Sequence, residues 1–117
     1  MENETITTDP IQIAKNAAIQ TAIDLSKEIG VEIIPIVLAV NNEPIVGFIK
    51  KPNRQVKLAA FDDTLKSPSQ GGETIFNACF LQKDSDKRIE ADDDIYISFC
   101  IECMSLFKLY PNELKKK

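Results

Sequence analysis

The chain has no histidine and only three cysteines among its 117 residues. Without histidine the Ser-His-Asp and Cys-His arrangements are excluded, which leaves Lys or carboxylate side chains as the general bases still available. Tetrahedral zinc sites usually take four Cys or His ligands, so the three thiols form an incomplete set. Their odd number argues for free thiols rather than a disulfide framework. The longest apolar run, Ile33 to Val40, is far short of the roughly 20 residues a membrane helix requires. The start, MENETITTDP, is acidic and polar. It has neither the basic head nor the apolar body of a secretory signal, so the expected location is the cytoplasm. Internal repeats and domain-separating linkers are also missing, and one domain over residues 9–111 is expected between a flexible tail at 1–8 and a polar tail at 112–117.

Positive charge is in the minority: 14 Lys and Arg against 18 Asp and Glu give a net charge of −4. Phosphate binding draws on a clustered positive field, so nucleic acid is not the expected partner. Lys50, Lys51, Arg54 and Lys57 form the single basic cluster, and no aromatic platform accompanies it. It reads as a solvated group or as a rim facing an acidic protein. With 44% hydrophobic and 27% charged residues, the chain is too apolar to be wholly disordered.

What is present is a helical stripe, an apolar hairpin and three further helical segments. Asp9 and Pro10 start the first helix, Ile11, Ala14, Ala18, Ala22, Leu25 and Ile29 recur along one face, and Gly30 ends it. Asn41-Asn42-Glu43-Pro44 then reverses the chain between two apolar runs, which predicts an antiparallel hairpin. In the first strand Ile34, Ile36, Leu38 and Val40 point one way while Ile33, Val37 and Ala39 point the other, so both faces need cover. Either the helices wrap both faces, or a second copy or a partner protein takes one of them. Pro35 restricts its strand to an edge or a bulge.

Lys51-Pro52-Asn53 stops the second strand. Asn53 caps a helix whose Val56, Leu58, Ala59, Ala60 and Phe61 are expected to pack back on the hairpin. Lys66 to Gly72 reads as a loop, and Glu73 to Leu81 as a short helix apolar almost all round. After a charged turn from Lys83 to Arg88, Ala91-Asp92-Asp93-Asp94 opens the last helix. Its face continues through Ile95, Phe99, Cys103, Leu106, Phe107 and Tyr110 to Pro111. The fold class is therefore α+β, a hairpin packed by about four helices in the order α-β-β-α-α-α.

Three patterns with catalytic or ligand-binding associations read better as structure. Cys100 and Cys103 have metal-like spacing but lie inside a helix as small core residues. Gly71-Gly72 lacks the Lys-Ser or Lys-Thr of a phosphate loop. Asp84, Asp86 and Asp92 to Asp94 lack the spacing and central Gly of a calcium loop. No catalytic residue, metal ligand or cofactor is assigned.

From Ile36 to Lys117 the order of features resembles that of the small tail-assembly chaperones of tailed bacteriophages. The resemblance is carried by the hairpin leading into GFIKKPNRQVKLAA, by GGETIFNACF, by the acidic start EADDDIYIS and by the lysine-ended tail. It implies a non-enzymatic protein of the host cytoplasm that binds the tape-measure protein, or another phage protein, while tail subunits polymerise. A small virion component and a phage-encoded inhibitor of a host protein are the alternatives. Val37, Ala39 and Phe48 of the hairpin and Phe76 and Phe80 of the following helix are the candidate partner-binding residues, with homo-oligomerisation a further expectation. Some members of that family make a longer form by ribosomal slippage, and the codons of Lys115 to Lys117 can supply the A-rich site this needs. On sequence alone three lysines after a helix read better as a solvated charge run.

Overall fold

The computed structural model describes residues 9–106 and Leu114. The expected tail at 1–8 lies outside the described residues, as do Phe107, Tyr110 and Pro111 of the last helical face and most of the polar tail. The chain folds as an α+β unit in which one two-stranded antiparallel sheet is sandwiched between a single helix and a layer of helices.

Helix α1 runs from Pro10 to Ile29. The Asp9 carboxylate accepts from the Ile11 N–H at 3.0 Å, and Pro10 fits the first turn, where no N–H is needed. Gly30 closes the helix with a φ of 89° and donates its N–H to the Ser26 carbonyl. Ala18 and Ala22 are the buried residues of α1, and their small side chains let the helix lie close on the sheet. Ile29, expected on the same stripe, is 42% exposed at the helix end.

Strands β1, Ile33–Val40, and β2, Glu43–Lys50, pair from Ile33 with Lys50 to Val40 with Glu43. Asn41 and Asn42 both have positive φ, 52° and 66°, as a two-residue type I′ turn requires, and Asn is among the few residues that tolerate this region. The register sends the two faces of β1 where the alternation predicts. Ile34, Ile36, Leu38 and Val40 join the main core, and Ile33 and Val37 join Ala18, Ala22 and Leu25 beneath α1. Helices therefore cover both faces, and the sheet needs no second chain to bury them.

The main core lies on the far side of the sheet. Helix α2, Arg54–Thr64, is capped by Asn53, whose side chain accepts from the Val56 N–H at 2.9 Å. It does not pack on the hairpin as expected; its neighbour is helix α3, Pro68–Cys79. The supposed loop from Lys66 to Gly72 is mostly α3, because Ser67 caps it and Pro68 takes its first turn. Gly71 and Gly72 sit inside this helix for lack of space: a Cβ on Gly71 would lie 2.0 Å from Thr64 Oγ1, and one on Gly72 would lie 1.8 Å from the Cys100 carbonyl oxygen. Close helix packing thus overrides a helix penalty of about 1 kcal/mol per glycine.

Helix α3 ends at Cys79, so Phe80 and Leu81 are not helical as expected. Phe80 is extended and bridges to Ile49, and the Leu81 N–H donates to the Phe48 carbonyl. The charged turn contains one turn of 3₁₀ helix, Gln82–Asp84, and leads to a four-residue helix α4, Arg88–Ala91. Helix α5, Asp93–Met104, starts at the Asp92 cap, whose side chain accepts from Asp94 and Ile95 N–H groups. It ends at Met104, before Leu106 of the expected face, where the Ser105 and Leu106 N–H groups turn back to the Glu102 and Cys103 carbonyls. Ile45, Ile49, Ile75, Ile89 and Phe99 fill the space between β2 and α3 to α5.

Candidate functional site

The five residues expected to contact a partner fall on different sides of the sheet. Phe48 is 4% exposed and belongs to the cluster under α1, where Val37 is half-buried. Phe76, 6% exposed, belongs to the main core, with Phe80 packed against it. The Phe76 ring stacks on Phe80 at 4.1 Å and meets the edges of Tyr96 at 4.9 Å and Phe99 at 5.7 Å. Phe48 and Phe76 therefore already bury their apolar area inside the chain, which corrects their placement on a contact surface. Ala39 is exposed on the rim of β1.

Exposed apolar side chains lie elsewhere, chiefly on helices. On α2, Leu58 is 59% exposed and Phe61 43%; Leu65, which follows the helix, is 76% exposed. Their spacing of three and four residues puts them on one face, opposite Ala60, which is buried against α3. Ile13, Ile19 and Ile23 of α1 and Ile97 and Ile101 of α5 are also substantially exposed. The α2 stripe was visible in the sequence as Leu58, Phe61 and Leu65. The expectation that α2 would turn its larger side chains inward hid it, whereas the small Ala60 and Gly71 of α3 form the actual contact.

The chemistry-bearing groups are mostly absorbed by the fold. Cys79, Cys100 and Cys103 are free, buried thiols. Burial pushes Cys100 up to about 11 and Cys103 up to about 12, so the nucleophilic thiolate is suppressed. Burial also raises Tyr96, whose hydroxyl donates to Glu73 at 2.7 Å. The Thr74 hydroxyl donates to the Asp63 carboxylate and ties α3 to α2. Arg88 donates to Asp86 at 2.8 Å and to Glu43 at 3.0 Å, clamping the hairpin tip; its hydrogen bond holds the Asp86 carboxyl below the usual range. Among the described residues no group of three or more His, Cys, Asp or Glu is placed to hold a metal ion. Lys51 pairs with Glu32 at 3.7 Å, and both remain largely in solvent.

No family model, curated protein or solved structure matches this chain. The stripe on α2 and the rim of β1 are thus judged on their own geometry. Among the described residues no helix is long and apolar enough to cross a membrane.

Proposed function

We propose that the chain is a non-enzymatic protein-binding module, acting in the host cytoplasm as a tail-assembly chaperone for the tape-measure protein of a tailed bacteriophage. The observation that carries the binding reading is the α2 stripe, where Leu58, Phe61 and Leu65 present apolar area on the face turned away from α3. Such spacing suits a helical partner, whose own apolar positions recur at three and four residues. The tape-measure assignment rests on the resemblance carried by the hairpin, GGETIFNACF and EADDDIYIS segments.

Magnitude favours a reversible complex. Burying the exposed parts of three such side chains contributes roughly 4 kcal/mol before the cost of association. One engagement is weak, and many engagements along a long helical protein add through effective concentration. A chaperone must leave as tail subunits polymerise, and weak repeated contacts permit that release.

Co-expression tests the reading. The tape-measure protein is expected to stay soluble with the wild-type chain and to precipitate with Leu58→Asp/Leu65→Asp. Purified particles are expected to lack the chain. Equal solubility with the folded double variant would contradict the proposed surface, and stoichiometric presence in particles would favour a virion component instead.

A further inference from the structure

The two edges of the sheet are unequal. On β2 the outer edge is occupied: Phe48 accepts from the Leu81 N–H and donates to the Ser85 hydroxyl, both at 2.9 Å, and Val46 accepts from the Asp86 N–H at 2.9 Å. On β1 the even-numbered residues face β2, since the two-residue turn makes Val40 and Glu43 a hydrogen-bonded pair. The odd-numbered residues therefore turn their backbone groups outward. Ile33 donates to Ser26 Oγ at 2.9 Å, and Pro35 has no N–H to offer. Val37 and Ala39 keep their outward N–H and C=O groups without a partner among the described residues.

We infer that β1 pairs antiparallel with β1 of a second copy of this chain, making a four-stranded sheet across a two-fold axis. In this arrangement Val37 and Ala39 of each copy exchange backbone hydrogen bonds with Ala39 and Val37 of the other. Pro35 lies beyond that exchange, so its missing donor does not interrupt it. The proposal goes beyond the chaperone reading and rests on the edge of β1, drawing on Lys57 of α2 but not on the Leu58, Phe61 and Leu65 stripe, so either can fail alone.

Two observations select a second copy over an unrelated extended segment. Charge is the first. At one end of β1, Asp94 lies beside Leu38, Ala39, Val40 and Asn41; at the other, Lys51, Lys57 and Glu32 lie beside Ile34, a group with a net positive charge. Antiparallel pairing about a two-fold axis brings the acidic end of each copy to the basic end of the other, twice. Lys57 is available for this, since among the described residues it has no ion pair, whereas Lys51 already pairs with Glu32. The second observation is apolar. Ile19, Ile23 and Ser26 share one flank of α1 by their four- and three-residue spacing, and Ser26 sits on the edge of β1 through its bond to Ile33. That flank overhangs the open edge with Ile19 53% and Ile23 44% exposed. The two-fold axis, perpendicular to the sheet, sets it against its own copy.

Sedimentation velocity of the full chain at low salt tests the pairing. The wild type is expected to be a dimer. Ala39→Pro removes an outward donor without touching the internal ladder, so a monomer with unchanged circular dichroism is expected. Asp94→Lys and Lys57→Glu are each expected to weaken the dimer roughly threefold to fivefold, as exposed ion pairs do, and together to restore it. A wild-type monomer at the highest soluble concentration would overturn the proposal. So would a dimer indifferent to Ala39→Pro and to both charge changes. If Ala39→Pro fails to fold, the charge exchange decides alone: restoration supports the pairing and additive loss overturns it.

Discussion

Gly72 is held by space rather than by backbone conformation. Its missing side chain lets α3 rest on the Cys100 carbonyl, where a Cβ would approach to 1.8 Å. Backbone cannot retreat as a flexible side chain can, so Gly72→Ala is expected to cost about 3 kcal/mol, the upper part of the usual overpacking range, or to prevent folding. Urea unfolding measures this, and a loss below about 1 kcal/mol would mean that α3 and α5 separate easily. The buried thiols next to this contact set an alkaline limit. Cys100 and Cys103 ionise at about 11 and about 12 in the folded chain, against about 8.5 in an unfolded one. A raised folded value means stability is complete below pH ~8.5 and is lost as pH rises from there towards the folded values, with a limiting slope of about 1.4 kcal/mol per pH unit for each thiol. Urea midpoints between neutral and alkaline pH are expected to fall accordingly, and Cys100→Ala/Cys103→Ala to flatten the slope. An equally steep fall in the double variant would place the cause in other groups.

The hairpin shows how much of an element can be read in advance. Alternation in β1 foretold that Ile34, Ile36, Leu38 and Val40 point one way and Ile33 and Val37 the other, because a strand repeats every two residues, but it left open what covers each face. Asn41-Asn42 marked the turn for the same local reason. Helix α3 was harder to place. Its two glycines look like loop residues until α2 and α5 press against them, a tertiary fact that local propensity does not contain. The site was the least legible, since Phe48 and Phe76 attract attention by size and for that reason fill the core. Ser85 is another long-range case: its hydroxyl accepts from the buried Phe48 N–H at 2.9 Å and donates to the Leu81 carbonyl at 2.7 Å. Ser85→Ala leaves that N–H unsatisfied and is expected to cost about 1–3 kcal/mol. Hydrogen exchange at Phe48 should accelerate by a corresponding factor; an unchanged rate would mean that another group takes over the bond.

At the scale of the whole molecule, a sheet covered on both faces leaves exposed apolar side chains on α2 and open backbone groups on the rim of β1. An interior already closed by Phe48 on one face and by the rings of Phe76, Phe80 and Phe99 on the other directs any partner to that outer surface. The central claim is that the α2 stripe binds a long helical protein, and a titration of purified tape-measure protein with this chain tests it most directly. The wild type is expected to bind in several copies per tape-measure chain. Leu58→Asp/Leu65→Asp, folded by circular dichroism, is expected to bind about 100-fold more weakly, equivalent to about 3 kcal/mol. Binding of the double variant at wild-type strength, or no binding by the wild type, would contradict the account.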